Sequence, residues 1–85
     1  LLIDADLRRS NIHKLLNLSN DRGLSTLLTE EADVRERDCI QSVQPSLDVL
    51  TAGPTPTDIV KLLSSHRMKH LIESFEQSYD LVLVD

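Results

Sequence analysis

Cysteine, glycine and basic residues are all scarce in this sequence. The lone Cys39 cannot close an internal disulfide and, with no second cysteine, makes no zinc site, which fits a reducing cytoplasm. The two glycines, Gly23 and Gly53, fall in no G-x-x-x-x-G-K-[ST] pattern, so these residues carry no phosphate-cradling loop of that kind. Lys and Arg number 9 against 14 Asp and Glu, for a formal charge of -5, and no basic face is available to collect the phosphates of a nucleic acid. Long apolar runs are missing too. The longest, Leu81 to Val84, is far short of the ~20 residues that cross a bilayer, and the opening residues lack the charged-then-apolar pattern of a secretory leader.

What is present suffices for one small domain with a thin core: 85 residues, 40% of them hydrophobic, in a size class that buries about 60 to 65% of its unfolded surface. The chain opens on Leu1-Leu2-Ile3 and closes on Leu81-Val82-Leu83-Val84-Asp85. Continuous Leu/Ile/Val runs bounded by polar residues read as strands covered on both faces, as in parallel sheets. A chain that starts and stops inside such strands reads as an internal fragment, residues 1–85, of one larger domain.

Between the two ends, Ser10 is placed to cap a short helix whose Ile12, Leu15 and Leu16 share one face, ending near Asn20. Asn20-Asp21-Arg22-Gly23 is turn chemistry, and Leu24, Leu27 and Leu28 repeat the same spacing in a second helix starting at Gly23 or Ser25. The polar, acidic stretch from Thr29 to Asp38 reads as a solvated loop or frayed turn. Ile40 to Val43 forms a short strand, Gln44-Pro45-Ser46 a turn, and Leu47 to Thr51 a better strand, punctuated by Gly53, Pro54 and Pro56. Thr57 is placed to cap a helix carrying Ile59, Val60, Leu62 and Leu63, and Ser64 or Ser65 to restart it. From there Met68, Leu71, Ile72, Phe75 and Tyr79 make the most regular helical stripe in the sequence. The order of elements implies crossover connections and an α/β fold with a parallel sheet and flanking helices.

In open parallel sheets, ligands sit beyond the carboxyl ends of the strands, and this sequence puts acidic groups there. Asp4 and Asp6 follow the first strand, two residues apart in an extended segment, and Asp85 finishes the last. If those strands lie close, three carboxylates share one rim. Such a set repels itself unless a hard cation neutralises it, and Mg²⁺ takes one or two carboxylates with waters and phosphate oxygens. A magnesium-nucleotide site follows, with Arg8 and Arg9 available to offset the acids or hold a strand end. An acid closing a strand is also a common turn former or helix cap, so the expectation rests on the Asp-x-Asp-x-Arg run combined with a second apolar run ending in Asp.

That combination resembles a family. Leu1-Leu2-Ile3-Asp4-Ala5-Asp6-Leu7-Arg8-Arg9 resembles the Walker A′ motif, and Leu81-Val82-Leu83-Val84-Asp85 the Walker B motif, of bacterial tyrosine kinases in capsule and exopolysaccharide synthesis. Ile12-His13-Lys14-Leu15-Leu16, Gly23-Leu24-Ser25, Leu47-Asp48-Val49-Leu50, Ala52-Gly53-Pro54 and Leu62-Leu63-Ser64-Ser65 with Arg67-Met68 follow the family's order and spacing. The resemblance implies a partial P-loop NTPase-like fold, with the Walker A loop upstream and the C-terminal part absent from these residues. It implies ATP and Mg²⁺ as cofactors, Asp4 as the base toward a tyrosine hydroxyl, Asp6 and Asp85 as metal ligands and Arg8 as a nucleotide contact. It further implies a homo-oligomeric parent at the inner face of the plasma membrane. Its partners would be a neighbouring subunit's tyrosine-containing tail and a membrane chain-length determinant or adaptor. By itself the fragment would be inactive. Ser10 stands where a proline usually follows the arginines, and Asp58-Ile59 replaces the common Asn-Pro.

Two other readings compete. The ATPase branch of the same fold, used in partitioning and division-site placement, shares the carboxylates, but the Leu47 to Met68 pattern favours the kinase. A phospho-receiver signalling module also pairs acids at strand ends, though over roughly half the interval between Asp4 and Asp85. Among the remaining residues, His66 and His70 share a helix face at i and i+4 but lie opposite the apolar stripe and read as solvent-facing, and His13 has no common ligand geometry with them. Cys39 reads as a semi-buried small side chain, and Tyr79 as a core or boundary residue.

Overall fold

The regular stripe becomes the longest helix. In the computed structural model, which describes residues 1–29 and 34–85, a helix spans His66–Ser78, and Ser65 caps it by accepting the Met68 amide at 3.2 Å. Leu71 and Phe75 are buried, while Met68, Ile72 and Tyr79 flank them half-buried. The elements in chain order are β1 (Leu2–Ile3), α1 (Ile12–Leu15), α2 (Leu24–Leu28), α3 (Glu36–Cys39), β2 (Ile40–Gln44), β3 (Leu47–Leu50), α4 (Ile59–Leu63), α5 (His66–Ser78) and β4 (Leu83–Val84). Of the acidic stretch expected as a loop from Thr29 to Asp38, residues 30–33 lie outside the described residues and the far end forms α3.

The four strands form one sheet in the order β2-β3-β1-β4. β1 pairs parallel with both β3 and β4, as expected. β2 departs from the all-parallel expectation and pairs antiparallel with β3. The cause is the Pro45-Ser46 turn: a two-residue connection can only fold the chain back on itself, because a parallel partner needs a long crossover. Ile3, Leu24, Leu27, Leu28, Leu50, Leu71 and Phe75 form the core where α2 and α5 cover the sheet. Each such side chain contributes about 1.5 to 3 kcal/mol by leaving water.

Three local expectations are corrected. α1 is capped without Ser10, from Asn11, and ends at Leu15 instead of near Asn20. Asn17 stops it by taking a left-handed φ of 55°, and the Leu18 amide reaches back to the His13 carbonyl at 2.8 Å while Asn17 bonds the Lys14 carbonyl, a Schellman closure. With the helix cut short, Ile12 is buried but Leu15 is 73% exposed. α4 is capped by Asp58, which accepts the Lys61 amide, one residue after the expected Thr57. β4, read as covered on both faces, lies at the sheet edge with Leu83 54% and Val84 52% exposed. No helix among the described residues is long and apolar enough to cross a membrane.

Candidate functional site

The carboxyl ends of β1, β3 and β4 share one rim, since the three strands run the same way. Leu2 pairs with Leu83 and Ile3 with Val84. The ladder continues one step further, with the Asp85 amide donating to the Ile3 carbonyl and the Ala5 amide to the Asp85 carbonyl, both at 2.9 Å. The backbones of Asp4 and Asp85, which come from opposite ends of the sequence, therefore lie side by side.

Their side chains have very different surroundings. Asp4 is 1% exposed, and both carboxylate oxygens are engaged by its own loop. Oδ1 accepts the Asp6 amide at 3.0 Å, and Oδ2 accepts the amides of Asn11 and Ile12 at 3.2 and 3.3 Å. It thereby supplies the α1 cap expected of Ser10, from seven residues upstream of the cap position. Asp6 is exposed and takes the Arg9 amide on Oδ1 at 3.0 Å, and Asp85 is exposed. Among the described residues no group of three His, Cys, Asp or Glu side chains is disposed to hold a metal ion. The expected three-carboxylate cluster is thus not formed, because a buried carboxylate facing three amides satisfies them before it can share a cation. Asp6 and Asp85 are each exposed carboxylates of the kind Mg²⁺ takes, one or two at a time, with water and phosphate in its other positions.

Arg8 is exposed and lines an open cleft of about 750 Å³ together with Asp6, Arg9, His13 and Lys14. Three full cations around one acid make this a locally positive surface on a chain whose net charge is -5. His13 Nδ1 is buried in this region without a hydrogen-bond partner. His66 and His70 face solvent, as expected. Cys39 is fully buried.

The structure also builds a part of the rim from residues to which the sequence assigned no chemistry. The Asn20 side chain brackets Gly53, accepting its amide at 2.8 Å and donating to its carbonyl at 3.1 Å. The Leu24 and Ser25 amides donate to the carbonyls of Thr51 and Ala52 at 2.8 and 2.9 Å, and Ser25 Oγ donates to the Pro54 carbonyl at 2.6 Å. Thr51 Oγ1 closes the set on the Arg22 carbonyl at 3.1 Å. This interlock binds the loop after β3 to the start of α2, and it demands glycine twice. A Cβ on Gly23 would sit 2.2 Å from the Thr51 carbonyl oxygen, and Gly53 has φ 80°. The available signal was that the chain's only two glycines meet here.

At the other end of the sheet, Tyr79 is half-buried and stacks edge-on against Phe75, with centroids 6.5 Å apart. Its hydroxyl donates to Asp48 Oδ2 at 2.7 Å, while Ser42 Oγ donates to Asp48 Oδ1 at 2.6 Å. These two bonds, Ser42 first, hold the Asp48 carboxyl below its ordinary range. Burial and then the Asp48 contact push the Tyr79 hydroxyl up to about 12.

No protein-family model matches the chain. Tyrosine-protein kinase YwqD of Bacillus subtilis is 42% identical over 89 residues, an alignment that takes in all of this chain and 35% of that protein. Tyrosine-protein kinase etk of Escherichia coli K12 is 41% identical over 86 residues, again across all of this chain and 12% of that protein. The solved kinase domain of Escherichia coli tyrosine kinase ETK matches with a TM-score of 0.89 at 40% identity, over 99% of this chain and 32% of that one. The chain therefore spans about a third or less of the length of these relatives.

Proposed function

We propose, from the premise that this chain belongs to the bacterial tyrosine-kinase family, that it is an internal segment of one P-loop kinase domain, running from the Walker A′ strand β1 to the Walker B strand β4. The protein containing it would transfer the γ-phosphoryl group of ATP to tyrosine hydroxyls, in the service of capsule or exopolysaccharide synthesis. One observation carries this reading: the parallel β1-β4 pairing that sets Asp4 beside Asp85 at the carboxyl ends of the strands.

The roles follow from the donor chemistry. Asp6 and Asp85, both exposed, would hold Mg²⁺ directly or through water, and Arg8 would contact the nucleotide. Mg²⁺, when bound, would neutralise charge on the phosphate oxygens. Asp4 would orient and deprotonate the tyrosine hydroxyl. Of the roughly four lone-pair positions on a carboxylate, its three amide bonds leave one. Those same bonds fix the Asp6 amide and the start of α1, so the loop that carries Asp6 and Arg8 is set before any ligand arrives. The Gly23-Gly53 interlock holds the neighbouring part of the rim.

The reading also places a Gly-rich phosphate loop upstream of Leu1. It assigns the protein an oligomeric assembly at the inner face of the membrane, with a tyrosine-bearing tail and an adaptor or chain-length partner. The test is tyrosine phosphorylation with Mg-ATP by the longer protein. Asp6→Asn is expected to lower the rate by about 100-fold with the fold retained. Full activity in that variant would overturn the site assignment.

A further inference from the structure

The chain has one tyrosine, and its hydroxyl is held in a contact that the chemistry above does not use. We infer that the Asp48-Tyr79 contact is a guard that keeps this tyrosine out of the pool of phosphoryl acceptors, so that a tyrosine kinase built on this fold does not mark its own scaffold. The inference rests on the tyrosine-kinase reading for its purpose, though the guard itself is a property of this chain.

Three observations carry it. The first is position. Val49 pairs with Leu2, which puts Asp48 level with Leu1, at the amino ends of the strands. Asp4 lies three residues further along β1, about 10 Å away at ~3.3 Å per residue. Tyr79 thus faces the end of the sheet opposite the proposed site and is out of reach of its own Asp4 and Asp6.

The second is occupancy. An acceptor tyrosine must present a lone pair of its oxygen to the γ-phosphorus. The O–P bond forms as the bond to the departing ADP oxygen breaks, and the phenol proton leaves to a base. Tyr79 is half-buried and its hydroxyl is tethered to Asp48 Oδ2 at 2.7 Å, so reaching a γ-phosphorus requires leaving that contact and turning the ring out of its place against Phe75. The other Asp48 oxygen is fixed by Ser42 at 2.6 Å, so the carboxylate cannot swing away without losing both bonds.

The third is charge. A phosphate on Tyr79 would add about -1.5 to -2 against the Asp48 carboxylate, whose hydrogen-bond partners Ser42 and Tyr79 are both uncharged. Ionisation of the free phenol is disfavoured in the same direction, since the hydroxyl is pushed up to about 12 by burial and by Asp48.

The experiment compares the longer kinase as wild type, Asp48→Asn and Tyr79→Phe, each checked for an intact fold by circular dichroism. After incubation with Mg-ATP, phosphotyrosine is assigned site by site by mass spectrometry. Tyr79 is expected to carry no label in the wild type while other tyrosines are labelled, and at least about tenfold more in Asp48→Asn. Where other tyrosines are labelled, equal labelling of Tyr79 in the wild type overturns the guard, as does an Asp48→Asn variant whose Tyr79 stays unlabelled. Nitration by tetranitromethane, which needs the phenolate and no kinase activity, is the second measurement. It should modify Tyr79 slowly in the wild type and several-fold faster in Asp48→Asn, with Tyr79→Phe identifying the signal. Equal nitration rates overturn the guard. If no tyrosine is phosphorylated but nitration shows the difference, the kinase reading fails and the guard stands.

Discussion

The two neighbours of β1 could hardly differ more. On the β3 side, strand ends continue into loops laced together by backbone and side-chain hydrogen bonds, around glycines that admit no added atom. On the β4 side, the strand pairs with β1 along one edge and its apolar side chains stand half in water. Asp4 and Asp85 inherit this contrast: adjacent in the backbone, one is buried and holds three amides, and the other is exposed. Half of the rim is thus preorganised, while the other half stands open to solvent.

Substitutions can break or sharpen the contrast. Gly23→Ala should have the largest effect, because its Cβ would meet backbone atoms of Thr51 and Gly53 that cannot yield. A loss of about 3 kcal/mol in urea unfolding is expected, and a loss under about 1 kcal/mol would mean the interlock gives way easily. Asp4→Ala comes next, at about 2 kcal/mol, since it strands the Asp6, Asn11 and Ile12 amides. Asp4→Asn, which keeps one acceptor oxygen, should cost roughly half of that; equal costs for the two would show that the amides find water instead. Leu83→Thr on the edge strand should shift stability by no more than about 0.5 kcal/mol, and a loss above about 1 kcal/mol would show that β4 is packed in solution.

Much of this was legible in the sequence. The α5 stripe, the leucine spacing of α2 and the strand at Leu47 all follow from local periodicity, whereas the closeness of the first and last strands entered only as a condition, which the β1-β4 pairing meets. The site's candidate residues were legible as a motif, but their geometry was not. A cap donated by Asp4 across seven residues has no local signature, and Ser10 outcompetes it on paper because propensity sees only neighbours in sequence. The antiparallel return of β2 was readable from Pro45-Ser46, yet the general rule for alternating strands and helices pointed the other way. Exposure of Leu83 and Val84 is a property of what stands next to the sheet, which hydropathy cannot report.

The buried carboxylate at position 4 has a consequence for how this corner fails. One side chain ties the loop and starts α1, and it is the same one proposed as the base toward the tyrosine hydroxyl. Truncating it strands those amides and, on the proposed mechanism, would take away the base as well, so architecture and chemistry there would fail together.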